Sequence, residues 1–162
     1  MCMANFKKGQ LVVHRRDGMA KIGDTTVISD KEYFIVNTIR GGGENIYVPK
    51  ERADFIIRPV MNKDEAEELV AFIKDIPLDY NTNTKQRRDN LKRRLSSGDV
   101  KDIAYLFKQL FFFKTLKDGS IKFGPVDIDM LNYATGNLLD ELTVSYDMDR
   151  SDIEEFIYNK IK

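Results

Sequence analysis

Six basic side chains lie close together near the middle of the chain, within residues 85 to 94. Asp89 is the only acid in this segment, whereas the whole chain has 26 basic and 26 acidic residues and a net charge of zero. Repulsion among these cations favours an anionic partner, and nucleic-acid phosphates suit closely spaced arginines and lysines. We therefore predict a surface that contacts a phosphate backbone. Its residues are Lys85, Arg87, Arg88, Lys92, Arg93 and Arg94.

Two other interpretations of the basic segment remain open. One is a solvated helix face without a partner, and the other is an adaptor surface that binds RNA or an acidic protein. A salt series separates them, because binding through about five or six phosphates weakens steeply with added salt. An interface that depends on apolar burial does not weaken in this way.

The basic segment is predicted to form a short helix over residues 84–96. Helical spacing puts Leu91 and Leu95 on one face, and we expect all six basic residues to face solvent. Asn and Thr residues at 81–84 offer N-caps, and Gly98 supplies a residue that ends helices.

Catalytic and metal-binding chemistry is not predicted. The chain has one cysteine, Cys2, and one histidine, His14, and its carboxylates are scattered over helix faces. No nucleophile, base or metal-ligand set converges in this pattern, so we expect no enzyme activity, no metal, no cofactor and no disulfide.

The composition predicts a folded protein without a membrane span. Hydrophobic residues make up 42% of the chain, and no apolar run approaches the length of about 20 residues that crosses a bilayer. The first ten residues also lack the apolar core of a signal peptide. We therefore expect a cytoplasmic protein.

Residues 1–60 carry the signals of short β-strands. Four runs rich in β-branched and aromatic residues are separated by turn residues, which predicts an antiparallel, strongly bent sheet or half-open barrel. One helical turn is expected at 50–54 and a further strand at 55–59. The predicted turns are Asp17-Gly18, Gly23-Asp24, Ser29-Asp30 and a hairpin tip at Gly41-Gly42-Gly43.

Residues 61–162 show helical periodicity instead. Apolar residues at 3-4 spacing predict five helices, at about 63–75, 84–96, 100–116, 126–146 and 151–161. We place the boundary between the two domains around residues 60 to 62. The predicted fold class is α+β, with a small antiparallel β domain at 1–60 and an all-α domain at 61–162.

The order of several short motifs carries a family resemblance over nearly the whole chain. The motifs are Phe6-x-x-Gly9-x-x-Val12-Val13, Tyr47-Val48-Pro49, Ile57-Arg58-Pro59-Val60, Arg87-x-x-Asn90-Leu91, Ser97-Gly98-Asp99-Val100 and Ala134-x-x-x-Leu138-Leu139-x-Glu141-Leu142. In this order and spacing they resemble the CarD/CdnL family of bacterial RNA-polymerase-binding transcription regulators.

The resemblance implies a Tudor-like domain at 1–60 that docks on the RNA polymerase β subunit. It also implies a helical domain at 61–162 that touches promoter DNA and stabilises the open promoter complex. We expect a nucleoid-associated monomer. An exposed sheet edge and nearby basic side chains are expected to meet polymerase. These side chains are Arg15, Arg16, Arg40 and Arg52.

Two departures from the family pattern concern DNA contact. Many members carry a tryptophan wedge at the start of the basic helix, whereas this chain has no tryptophan and offers Asn83 or Thr84 there. A basic pair common near the penultimate helix is replaced by Pro125-Val126-Asp127-Ile128-Asp129. We therefore expect electrostatic binding to DNA that is largely independent of sequence.

Overall fold

The computed structural model describes residues 6–39, 43–116 and 118–162. The chain divides into two compact units, Met1–Val60 and Met61–Lys162. The first unit holds an antiparallel sheet and the second holds α-helices. This arrangement confirms the predicted α+β fold with a Tudor-like N-terminal domain.

The described part of the first unit forms a five-stranded sheet in the order β4-β3-β2-β1-β5. All neighbouring strands are antiparallel, as expected for short strands joined by tight turns. The strands are β1 (Leu11–His14), β2 (Gly18–Ile28), β3 (Lys31–Thr38), β4 (Asn45–Pro49) and β5 (Ile57–Pro59).

The hairpin between β2 and β3 turns at Ser29 and Asp30, as predicted. Both residues have positive φ angles, 50° and 65°, which is the geometry of a two-residue turn that matches the twist of the strands. The hairpin tip predicted at Gly41-Gly42-Gly43 falls partly on residues 40–42, which lie outside the described residues.

The turn predicted at Gly23-Asp24 is wrong, because β2 continues through both residues. The strand register shifts between Ile22 and Thr25, which face Val36 and Phe34, so β2 carries one extra residue in a β-bulge. A Cβ atom on Gly23 would lie 3.0 Å from the carbonyl oxygen of Ile35. The glycine therefore permits close approach of two strands and does not reverse the chain.

Between β4 and β5 the chain forms a 3-10 turn at Lys50–Arg52 and the short helix α1 (Ala53–Ile56). The predicted helical turn is present, but Phe55 and Ile56 belong to α1 and not to the strand expected there. Behind the sheet, the ring of Phe6 meets that of Phe34 edge-on, with centroids 5.9 Å apart. The buried core of this unit is Phe6, Val12, Ala20, Ile22, Phe34, Val36, Val48, Ala53 and Ile57.

The described part of the second unit contains five helices, close to the five predicted ranges. Asn62 and Glu65 form a capping box, and the side chain of Asp99 accepts a hydrogen bond from the amide of Lys101. Pro125 occupies the first turn of its helix, where its missing N–H costs nothing. The helices are α2 (Lys63–Asp75), α3 (Thr84–Ser97), α4 (Val100–Thr115), α5 (Pro125–Tyr146) and α6 (Arg150–Ile161).

Helix α4 forms the centre of the helical core. Leu106, Phe107 and Leu110 are fully buried, in contact with a cluster drawn from α2, α5 and α6. Of the aromatic run that follows, Phe113 is buried, while Phe111 and Phe112 are half-buried. In the described ranges, none of the helices is long and apolar enough to cross a membrane.

Candidate nucleic-acid interface

The basic segment forms helix α3 over nearly the predicted range. The side chain of Asn83 accepts a hydrogen bond from the amide of Gln86 at 3.0 Å, which satisfies one of the free N–H groups at the helix start. Gly98 ends the helix in the left-handed conformation, with φ of 70°. The cap residues therefore determine where the cluster of cations begins and ends.

The inward face of α3 contains a cation as well as leucines. Leu91 is buried and Leu95 is half-buried, and Arg87 is only 5% exposed. The prediction that all six basic residues face solvent is therefore wrong for Arg87. It lies four residues before Leu91, and residues four apart share one face of a helix.

Arg87 is buried, and its guanidinium group contacts an acid, a backbone carbonyl and an aromatic ring. Its Nη1 donates to Asp127 Oδ1 at 3.0 Å, and its Nη2 donates to the carbonyl oxygen of Lys122 at 2.6 Å. The guanidinium also lies over the Phe113 ring, 5.8 Å from the ring centroid. A charge removed from water needs such partners, because an unpaired buried cation costs several kcal/mol, on the order of 3–5.

Asp127 binds the neighbouring arginine as well. Arg88 Nη2 donates to Asp127 Oδ2 at 2.7 Å, and the amide of Gly124 donates to the same oxygen at 2.9 Å. Asp127 is fully buried, while the Arg88 side chain is about one-fifth exposed. One carboxylate therefore joins two residues of α3 to the first turn of α5.

The charge state of this cluster follows from its hydrogen bonds. Burial alone would raise the pKa of Asp127, but the hydrogen bonds from Arg88, from the Gly124 amide and from Arg87 outweigh it and hold the pKa below its usual range. The hydrogen bond to Asp127 in turn raises the pKa of Arg88. Two guanidinium groups and one carboxylate leave the cluster with a net charge of +1.

Arg94 is held against α4 at the other end of the helix. Its Nη1 donates to Asp102 Oδ1 at 2.8 Å, and its guanidinium lies 3.7 Å from the centroid of the Tyr105 ring. The hydroxyl of Ser97 donates to the second oxygen of Asp102 at 2.7 Å. Arg94 is thus half-buried, with one face of its guanidinium covered by an aromatic ring.

The other three cations lie on the exposed face of α3. The Lys85 side chain is 86% exposed and forms an ion pair with Asp89, one turn later, at 2.8 Å. Lys92 is exposed. Arg93 is exposed as well, and its Nη2 donates to Asn90 Oδ1 at 2.7 Å. An exposed ion pair such as Lys85–Asp89 is weak, so it competes little with another anionic partner.

The basic residues predicted to meet polymerase occupy two places in the first unit. Arg15 and Arg16 are exposed in the turn between β1 and β2, and Arg52 is exposed at the end of the 3-10 turn. The amide of Arg15 donates to the carbonyl of Ile56 at 2.8 Å. Arg40 lies outside the described residues.

His14 holds the turn that carries Arg15 and Arg16. Its Nδ1 accepts hydrogen bonds from the amides of Arg16 at 3.2 Å and Asp17 at 3.1 Å. Burial lowers the pKa of His14, and this effect exceeds the opposing effect of the Asp17 carboxylate; Arg16 lowers the pKa further. In this turn His14 is therefore neutral, and it accepts the hydrogen bonds that shape the turn.

The acidic partners of the basic helix were not predicted from the sequence. Asp127 and Asp102 lie 40 and 8 residues from the arginines that they bind. Two signals pointed to the first of these pairs. Arg87 shares the face of Leu91, and Asp127 occupies the third position of a helix that opens with proline, where a capping acid is common.

Potential metal ligands are not clustered in the part of the chain that the structure describes. It contains no group of three or more His, Cys, Asp or Glu side chains that could hold a metal ion. Cys2 lies outside the described residues.

Each of the two units matches a known protein-family model. Residues 6–61 match the CarD-like/TRCF RID domain, and residues 68–158 match the CarD C-terminal domain. The chain therefore belongs to the CarD family of RNA-polymerase-interacting transcription regulators. This family is non-enzymatic, and the RID domain indicates interaction with the RNA polymerase β subunit. No curated protein sequence matches the chain.

Proposed function

We propose that this protein binds the β subunit of bacterial RNA polymerase through residues 1–60 and promoter DNA through helix α3. By holding both at once it stabilises the open promoter complex. The two family matches, one in each unit, support the assignment of a separate partner to each unit. The basic side chains of α3 support the choice of DNA as the second partner.

The exposed cations of α3 carry the proposal. Lys85 and Lys92 lie on one line of the helix, because seven residues correspond to about two turns, and Arg93 lies about a quarter turn to one side of them. At 1.5 Å per residue the row spans about 12 Å. That length corresponds to roughly three or four phosphates of one strand, at 3.4 Å of rise each.

The remaining basic residues contribute differently in this proposal. Arg88 and Arg94 are half-buried and paired with acids, so they add to the field around the helix more than they contact phosphate. Arg87 is buried and holds the helix in place. Binding is electrostatic and largely independent of sequence, because phosphate contacts carry no base information.

Polymerase binding is assigned to an edge of the sheet. The strands β4 and β5 lie at the two edges, and an edge strand offers unpaired backbone groups to a partner strand. We propose that Arg15, Arg16, Arg40 and Arg52 orient this contact through their charge. If these arginines orient the contact, reversing Arg15, Arg16 and Arg52 to Glu together abolishes co-purification with polymerase.

The DNA contact is tested by the lifetime of promoter complexes and by the salt dependence of DNA binding. A triple variant, Lys85→Gln, Lys92→Gln and Arg93→Gln, is expected to shorten the lifetime and to lower the salt slope by about 2.7, at about 0.9 for each phosphate that is no longer neutralised. A matched control removes three exposed lysines of the same unit that lie outside α3, Lys63, Lys74 and Lys160. The control should behave like wild type.

Two results would overturn the DNA contact. If the α3 triple variant prolongs open complexes as well as wild type does, α3 is a solvated face and the protein acts through polymerase alone. If wild type binds RNA or an acidic protein with the expected salt slope but does not bind promoter DNA, the protein is an adaptor and not a promoter-binding regulator.

A further inference from the structure

The N-terminal half of α3 is attached to the rest of the helical unit mainly by a polar contact. Between residues 84 and 90 the buried side chain is Arg87, and the buried leucine, Leu91, lies only at the middle of the helix. An ordinary surface helix is held by an apolar stripe along its length. Here the first two turns depend on what binds Arg87.

Asp127 is the residue that binds it. The carboxylate accepts hydrogen bonds from Arg87, Arg88 and the amide of Gly124, so it connects α3 with the segment before α5 and with α5 itself. The segment before α5 is drawn in as well, through the bond from Arg87 to the carbonyl of Lys122. A Cβ atom on Gly124 would lie 3.2 Å from Arg88 Nη2, which shows how closely that segment approaches α3.

We propose that Asp127 is a positioning residue for DNA binding, which sets the rotation of α3 about its own axis. By drawing Arg87 and Arg88 inward it turns Lys85, Lys92 and Arg93 outward as one row. This inference rests on the proposed function, since it concerns how the phosphate-contacting face is held.

A positioning role for Asp127 and simple electrostatics predict opposite effects of removing its charge on DNA affinity. Asp127 is an acid beside a DNA-binding helix, so removing its charge should strengthen DNA binding if charge alone matters. If Asp127 positions the helix, removing its charge weakens binding. Arg87 would then lose its partner and leave the interior, and Lys85 would lose its alignment with the other two cations.

A matched pair of variants separates these outcomes. Asp127→Asn removes a negative charge next to α3 and Asp89→Asn removes one within it, but Asp89 is exposed and its side chain pairs with Lys85. We expect Asp89→Asn to bind a short duplex DNA as tightly as wild type or up to about fivefold more tightly. Asp127→Asn should bind at least about tenfold more weakly. Its salt slope should be lower by about 0.9, because Lys85 no longer reaches a phosphate.

Hydrogen exchange reports whether the helix itself has loosened. Amides of residues 86–90, which are hydrogen-bonded in wild type, should exchange at least about tenfold faster in Asp127→Asn, because an unpaired buried arginine is costly. Amides of 91–97, which lie over Leu91 and Leu95, should change less. A general loss of stability would speed exchange across α4 and α5 equally and would leave the salt slope of the folded protein unchanged, and that result would contradict the proposal.

A second variant keeps the proposal testable if Asp127→Asn folds poorly. The double variant Arg87→Met with Asp127→Leu replaces the buried Arg87–Asp127 pair by apolar side chains, a change that proteins often tolerate, and leaves the partly exposed Arg88 to turn to solvent. It should dock the helix again and recover DNA affinity relative to Asp127→Asn. A well-folded double variant without that recovery would sink the proposal.

The experiments distinguish failure of the proposed DNA contact from failure of the proposed positioning role. If wild type shows no salt-dependent DNA binding, the proposed DNA contact fails and Asp127 has no face to position. If wild type binds DNA and Asp127→Asn binds as tightly as Asp89→Asn does, only the positioning role is wrong.

Discussion

Arg87 and Arg93 lie six residues apart on α3 and have very different surroundings. Arg87 is buried against Asp127 and Phe113, whereas Arg93 is exposed and bonds to Asn90. A guanidinium can bind phosphate only where water and ligand reach it, so burial decides which arginines can form the interface. The number of cations in a helix therefore overestimates the number of phosphates that it can contact.

His14 provides a pH test at the same scale. Its Nδ1 accepts two amide hydrogen bonds, which requires the neutral ring, and burial lowers its pKa from the usual value of 6.5. A lowered pKa means that the unfolded chain binds protons more readily. The contribution of His14 to stability is therefore complete above about pH 6.5 and is lost as the pH falls through its folded pKa.

We therefore expect the stability of the wild-type protein to fall more steeply on acidification below about pH 6.5 than that of His14→Gln. Chemical unfolding at a series of pH values, followed by a signal from the sheet unit, measures the difference. Wild type and variant should run parallel above about pH 7. Curves that stay parallel on further acidification, down to about pH 5, would show that the turn does not depend on a neutral His14.

At the scale of elements, features that depend on residues nearby in the sequence were predicted correctly, and features that depend on distant residues were not. Helix bounds depend on caps and periodicity within a few residues, and α3 and α6 lie within one residue of the predicted bounds at each end. The bulge at Gly23 depends on the opposite strand, where the carbonyl of Ile35 comes close. No property of the Gly23-Asp24 dipeptide by itself distinguishes a bulge from a turn.

Local and non-local features of the candidate site also differ in how well they could be predicted. The location, length and charge of the basic helix were predictable, because they follow from residues 83–98 alone. The pairing of Arg87 and Arg88 with Asp127 has only indirect signals in the sequence, because it joins segments about 40 residues apart through the packing of α3 against α5. The sequence indicates the cations directly, but not the acids that decide which way their side chains point.

The N-cap of α3 offers an element-scale prediction. Replacing Asn83 by Ala removes the side chain that accepts from the Gln86 amide and should cost about 1 kcal/mol, whereas Asn83→Gly should cost only a few tenths. Because the loss falls on the first turn, DNA affinity should drop with Ala and remain nearly unchanged with Gly. Urea unfolding and a DNA titration check both, and equal effects of the two variants would exclude a capping role.

At the scale of the whole molecule, attraction to a polyanion cannot come from net charge. Basic and acidic residues balance at 26 each, and residues 116–162 contain five bases and ten acids. The exposed row on α3 is therefore a local patch on a neutral chain. Such a patch directs how DNA approaches and limits non-specific attraction elsewhere on the surface.

The boundary between the two units leads to a prediction about how fragments of the chain fold. Each unit has a buried core of its own, so each should fold alone. The second unit includes Met61, whose amide donates to Glu141 Oε2 at 2.8 Å and whose carbonyl accepts from the hydroxyl of Ser145 at 2.8 Å. A fragment of residues 60–162 keeps both bonds, whereas a fragment of residues 64–162 loses them together with the Asn62 cap.

We expect the 60–162 fragment to unfold cooperatively, with the same midpoint as the helical signal of the full chain. The 64–162 fragment should be less stable by roughly 2–4 kcal/mol, because it lacks hydrogen bonds to the buried Glu141 and the cap of α2. Circular dichroism during urea unfolding measures both fragments against the full chain. The 1–60 fragment should independently retain polymerase binding. If instead 60–162 is unfolded when isolated, the helical unit needs the sheet unit to fold, and the protein is a single cooperative body in which DNA and polymerase binding cannot be separated by truncation.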